Sequence, residues 1–258
     1  MASENCFSAC RMLAIFLCLS SSFLEFSSAA PSKKIPDYIK ICKRNDPKLD
    51  ECILHSVEDL RPKLIIGIPE LEIPAIEPLI LPEVVVSPGG SFKAVGKDVT
   101  VHGAGNYKVK KLTTDLKNLV FSLVVAIPSL HFEGKYDVNA TVLGVPIQGK
   151  GPMKANATDV TADLVLKGKA SKRGGSNYID FYNIELGIDL GNYDIKLENL
   201  FNGDKALGDA VNIAINENKQ EFMKSLKPVA ERVAAEMVLT IANKISRKFP
   251  FDTVFPEN

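Results

Sequence analysis

The 258-residue chain has no tryptophan, three histidines and five cysteines, and its 31 basic residues balance 31 acidic ones. A level charge without an acidic or basic tail excludes the electrostatic footprint of a nucleic-acid binder. So few histidines and cysteines leave little material for metal or thiol chemistry. The missing tryptophan decides nothing by itself. No Gly-x-Ser-x-Gly elbow is present. His55, His102 and His131 fall on three different predicted elements, with none of the short spacings that bind metals. Gly149-x-Gly151 lacks the third glycine of a dinucleotide loop and reads as a sharp turn before Pro152. Carboxylate neighbours such as Glu58 with Asp59, or Glu70 with Glu72, read as solvated surface. The chain is therefore not expected to be an enzyme, and no cofactor or metal is expected.

Long apolar runs are missing too, since spanning a bilayer takes about 20 such residues in a row. Stable membrane insertion is not expected. Residues 1–30 do carry the marks of an export signal: Arg11, a short apolar run from Met12 to Leu19, and small residues at Ser27-Ser28-Ala29-Ala30. Cleavage after Ala29 or Ala30 leaves one secreted, extracellular domain over residues 31–258, expected to be a monomer. Cys6, Cys10 and Cys18 leave with the signal. The remaining Cys42 and Cys52 then most simply form one disulfide in an oxidising compartment. Export also gives meaning to two glycosylation sequons, at Asn139 and Asn156. A glycan on Asn139 requires that residue to face solvent, which turns Tyr136 and Val138 inward.

What is present is strong patterning. Asp46-Pro47 reads as a cap and first turn, followed by a helical stripe of Leu49, Cys52, Ile53, Val57, Leu60 and Leu64 that Pro62 should bend or end. From Leu64 to Val86, prolines at 69, 74, 78 and 82 suit an extended edge segment. Between about Ser91 and Leu200 the period is two, punctuated at Gly103–Gly105, Gly149–Pro152, Ser171–Ser176 and Gly191-Asn192. This predicts long antiparallel strands. Leu119–Ile127 is apolar at nearly every position, as in a strand covered on both faces. The basic tip Ser171–Ser176 reads as a solvated turn. Beyond Asp204, a plausible cap, Phe222, Leu226, Val229, Val233, Met237, Ile241 and Ile245 recur at helical spacing, with a kink or break expected at Pro228. A stripe this long needs a long apolar partner, and a curved sheet wrapped around it supplies one.

Several segments resemble one insect family. Cys42-Lys-Arg-Asn-Asp-Pro47 through Cys52, Leu60-Arg-Pro62, Gly67-Ile-Pro-Glu-Leu71, Ile127-Pro-Ser-Leu130, Gly134-Lys-Tyr136, Pro146-Ile-Gln-Gly-Lys-Gly151, Leu200-Phe-Asn-Gly-Asp-Lys205 and Pro250-Phe-Asp252 are similar, in order and spacing, to the takeout / juvenile-hormone-binding proteins. The resemblance implies an α+β fold, an α/β-wrap of the tubular lipid-binding type, with a strongly curved antiparallel sheet around a long C-terminal helix. It implies a carrier holding a juvenile hormone, another terpenoid or a fatty-acid-like molecule in an apolar tunnel, and links to circadian output, feeding or chemosensation. A single cysteine pair favours the takeout branch, since hormone carriers tend to have a second disulfide. Relatives usually have tryptophan after Asn216-Glu-Asn218, where this chain has Lys219.

The expected tunnel wall comprises Phe121, Leu123 and Val125, then Leu130, Phe132 and Tyr136, with Phe222, Leu226 and Met237 from the helix. Tyr136 adds a hydroxyl suited to orienting an ester or epoxide. Two other readings fit the same residues: an extracellular interaction or signalling module with a filled core and an unknown receptor, and a hydrolase of hormone esters relying on one of the histidines.

Overall fold

A computed structural model describes residues 35–89, 92–142 and 145–257. The expected export signal and its cleavage point lie outside them. Helix α1 (Leu49–Ile66) and a 3-10 turn (Pro69–Leu71) precede strands β1 (Leu79–Gly89), β2 (Phe92–His102), β3 (Lys108–Asp115), β4 (Val120–Val142), β5 (Val145–Arg173), β6 (Ser176–Asp189) and β7 (Asn192–Leu197). Helices α2 (Lys205–Glu217), α3 (Lys219–Ser246) and α4 (Phe251–Val254) follow.

The seven strands form one antiparallel, curved sheet built on two long strands. β4 and β5 pair from Val120 opposite Lys167 to Val142 opposite Val145. Each takes two shorter partners end to end on its other side. β3 and β2 share β4, while β6 and β7 share β5; β1 extends the sheet beyond β2.

The inward set changes parity along β4. Phe121 is buried and Leu123 and Val125 pack beside it; further on, Tyr136, Val138 and Ala140 are buried instead. The switch falls between the pairs Ile127–Val160 and Ser129–Thr158, where Pro128 and Asp159 lie and Asp159 adopts φ 53°. Aspartate tolerates that left-handed conformation better than most residues. Leu119–Ile127, expected to be covered on both faces, has no exposed residue. One face joins the core, and the other forms a shallow cleft of about 380 Å³ where Ser122 and Val124 meet Val165 and Lys111.

Four expectations need correction. Gly149–Pro152 is not a turn but lies inside β5. The glycines are there for close approach: a Cβ on Gly151 would sit 2.3 Å from the Glu198 carbonyl oxygen. Pro62 neither ends nor divides α1, which continues to Ile66, and Pro228 lies inside the unbroken α3. Both prolines are exposed, so water can take up the carbonyl each leaves unpaired. The helix division falls earlier, at Asn218. Asp46 accepts from the Lys48 amide at 2.8 Å in the turn before α1, whose own N-cap position is Lys48. Asp204 does cap α2, its side chain accepting from the Leu207 amide at 3.0 Å. The basic tip turns through Gly174 and Gly175, and Arg173 folds back onto Asp180 at 2.5 and 2.7 Å.

Each strand edge meets a helix side chain. Glu58 of α1 accepts from the Val109 amide on β3 at 3.2 Å. Asn212 and Asn216, one turn apart on α2, each pair with both backbone groups of a β7 residue, Leu197 and Ile195 respectively, at 2.7–3.0 Å. Asn243 of α3 does the same for Phe181 on β6, and Glu231 accepts from the Ile188 amide at 3.0 Å. Arg232 donates to the Val85 carbonyl on β1 at 3.0 Å. Unpaired edges invite pairing with other chains, and these contacts occupy them.

The Cys42–Cys52 disulfide forms, with Cα atoms 5.8 Å apart. It anchors the first described segment to α1, and that segment holds the C-terminus. Arg44 bonds Asp252 at 2.6 Å and the Phe255 carbonyl at 2.8 Å, and stacks 4.9 Å from the Phe251 ring centroid.

Candidate functional site

Among the described residues, the interior holds three packed clusters. One joins Ile39, Leu64, Ile68, Ile73 and Phe249 near α1. A second joins Tyr136, Val138, Ile147, Leu200, Val211 and Ile215 beneath α2. The third joins Phe121, Leu164, Leu166 and Ile179, with Phe251 and Phe255 of the C-terminus packed on it. α3 touches all three: Phe222 packs on the second, Val238 and Ala242 on the third, Ile241 and Ile245 on the first.

Between those anchors the apolar stripe of α3 lies outside the clusters. Leu226, Val229, Val233 and Met237 continue the sheet-facing stripe, yet among the described residues they belong to none of the clusters. They are half-buried, and no residue of this 28-residue helix is fully buried. The stretch from Leu226 to Met237 covers about 17 Å of helix axis. On β4, Leu130 and Phe132 share that character: half-buried, outside the clusters, and alternating with exposed His131 and Glu133, so they face the side where Tyr136 is buried. Apolar side chains facing inward without tight neighbours mark space that other apolar atoms can fill.

The expected wall residues thus separate. Leu130, Phe132, Leu226 and Met237 are half-buried and lie outside the clusters. Phe121 is core, and Leu123 and Val125 pack against it. Phe222 packs toward the α2 end, its ring 6.3 Å from that of Tyr193. Tyr136 is 6% exposed, and its hydroxyl donates to the Glu198 carbonyl at 2.6 Å. Burial pushes its pKa up to about 12. Its proton therefore serves the strand packing beside Gly151. The wall assignment from sequence left out Val229 and Val233, although the same helical stripe carried them.

No polar or charged residue is fully buried among the described residues, and no three histidine, cysteine or acidic side chains converge on a metal-sized site. The histidines face separate partners: His55 the Glu51 carbonyl, His102 the Glu77 carboxylate at 3.4 Å, and His131 the Asn156 side chain at 2.7 Å. Asn139 and Asn156 are both exposed on the outer face, with Val138 and Ala157 buried beside them. Lys219 lies over the Tyr193 ring, 5.6 Å from its centroid, and bonds the Asn192 side chain; the Tyr193 hydroxyl donates to the Lys219 carbonyl at 2.9 Å. An aliphatic stem with a cationic tip covers the aromatic face there.

Residues 14–256 match the family described as haemolymph juvenile hormone binding protein (JHBP). The chain is 27% identical over 237 residues to the circadian clock-controlled protein daywake of Drosophila melanogaster, covering 87% of this chain and 89% of that one. It is 21% identical over 221 residues to a putative beta-carotene-binding protein of Schistocerca gregaria, covering 84% and 88%. The crystal structure of Epiphyas postvittana Takeout 1 shares the fold, with a TM-score of 0.74 at 22% identity over 84% of this chain and all of that one. The match extends over nearly the whole chain, and the chain belongs to the haemolymph juvenile hormone binding protein family.

Proposed function

We propose that this protein is a secreted, monomeric carrier that holds one small hydrophobic molecule between the sheet and the middle of α3. Juvenile hormone, another terpenoid or a fatty-acid-like molecule fits the reading, and it involves no catalysis. The observation that carries it is the half-buried apolar stripe of Leu226, Val229, Val233 and Met237, which lies outside the clusters that pack against both ends of α3. The family description and the carotenoid named for the locust relative support the ligand class, and the fly relative's name supports a role in circadian output. Exposed Asn139 and Asn156 suit glycosylation on the outer face.

The energetics allow it. Removing about 400 Å² of apolar ligand surface from water yields roughly 10 kcal/mol gross. Lost translational and rotational freedom removes at least about 4 of those, so this apolar contact supports about 6 kcal/mol, an affinity of tens of micromolar. The test is displacement of a neutral fluorescent apolar probe by terpenoid esters. Saturable binding with one site per chain, reversed by the competitor, supports the carrier; absence of probe binding at tens of micromolar protein contradicts it.

A further inference from the structure

The two sides of α3 are fastened very differently. Toward β6, Asn243 bonds both backbone groups of Phe181 at 2.8 and 2.9 Å, and Glu231 takes the Ile188 amide at 3.0 Å. Lys227 reaches Asp189 at 2.9 Å and Arg247 reaches Asp180 at 2.6 Å, so ties run from residue 227 to residue 247. Toward β1, among the described residues, the helix is held by Arg232 on the Val85 carbonyl at 3.0 Å, and beyond that by Lys244 on Glu72. From 232 to 244 is about 18 Å of helix axis. β1 is an edge strand, pairing with β2 alone. Ile80 and Val85 on it are 64% and 40% exposed.

We infer that the seam between β1 and α3 is the ligand's way in and out, with Arg232 as its latch. The inference rests on the carrier reading above. The part of α3 assigned above to the ligand includes this seam: Arg232 stands next to Val233 and between Leu226 and Met237 in sequence. The clusters at either end of α3 are tightly packed, with Ile68 and Leu200 each 1% exposed. Parting β1 from α3 breaks one exposed hydrogen bond and slides apolar side chains apart. Parting α3 from β6 leaves two backbone groups of Phe181 and one of Ile188 without partners, which costs far more. Arg232 is a gating residue on this account and does not touch the bound molecule.

Two experiments on the full-length chain test this with a neutral fluorescent apolar probe in stopped flow. In the first, Arg232→Ala should raise both the uptake and release rates about three- to tenfold, the factor a single surface hydrogen bond supports, while equilibrium affinity stays within about twofold of the native value. In the second, the pair Val85→Cys and Arg232→Cys, joined by a short bis-maleimide, should lose rapid uptake. The pair Asp189→Cys and Lys227→Cys, joined in the same way across the β6 seam, should keep it; single-cysteine variants treated with the reagent serve as blanks. Native rates in Arg232→Ala, or rapid uptake by the chain crosslinked across β1, overturns the inference. Failure of the unmodified protein to bind the probe at all counts against the carrier reading, so the two failures are distinguishable.

Discussion

Asn243 on α3 satisfies both backbone polar groups of Phe181 on β6, its amide nitrogen donating to the carbonyl at 2.8 Å and its oxygen accepting from the N–H at 2.9 Å. Asparagine fits because one side chain offers a donor and an acceptor side by side, as a neighbouring strand would. Asn212 and Asn216 repeat the arrangement on β7. Asn243→Ala leaves two partly buried groups short of partners and should cost about 2 kcal/mol of stability, read from the urea midpoint. A loss within 0.5 kcal/mol (roughly the scatter of neutral surface changes) contradicts the role.

The disulfide carries the second prediction. Cys42 and Cys52 close a loop of sequence separation 10, and the segment behind Cys42 holds the C-terminus through Arg44. The double variant Cys42→Ser, Cys52→Ser should lose about 3 kcal/mol in the chain-entropy account. Proteolysis should then begin at the C-terminal residues after Pro250, because Phe251 and Phe255 lose the contact that keeps them on the third cluster. Unchanged proteolysis of that segment contradicts the coupling.

Tyr136 makes a prediction in alkali. Its phenol is held near pKa 12 by burial, against an ordinary value of about 10. A raised pKa means the folded state resists ionisation that the unfolded chain accepts. The contribution is therefore complete below about pH 10 and is lost as pH rises from there toward 12. Tyr136→Phe should flatten that decline while costing about 1 kcal/mol at neutral pH, where the bond to the Glu198 carbonyl is gone. Denaturant titrations at pH 7, 10 and 11.5 read both effects.

Core and wall should respond in opposite ways. Leu164 is 7% exposed inside the third cluster, so Leu164→Ala should cost about 3 kcal/mol. Leu226, half-buried and outside the clusters, should lose less than about 1 kcal/mol as alanine. Leu226→Trp should leave the melting temperature near native while reducing affinity for an apolar probe at least tenfold, since the ring occupies the space a ligand would take. A large loss of stability in Leu226→Trp, with probe affinity intact, would mean the middle of α3 is already filled.

Much of this was legible from residue patterns, and the exceptions have physical causes. The period-two runs located β4 to β7, the helical stripe located α3, and the prolines before Val86 marked an edge. Pro62 does not end α1 and Pro228 does not break α3; both prolines are exposed, so water can satisfy the carbonyl each leaves unpaired. Gly149 and Gly151 looked like a turn because the contact that requires them, from the Glu198–Leu200 segment, is nearly 50 residues away in sequence. The parity change at Asp159 is a single backbone torsion, invisible to composition. Among the wall residues, sequence could name apolar positions facing inward. Which of them join the clusters and which stay outside them depends on the three-dimensional spacing of the elements.

Native mass spectrometry of gently purified protein, followed by organic extraction, tests the central claim most directly. A population carrying one non-covalent apolar molecule per chain is expected, lost on extraction and regained when a terpenoid ester is offered. Protein found only at its ligand-free mass, with nothing extractable and no uptake of any offered apolar molecule, would contradict it.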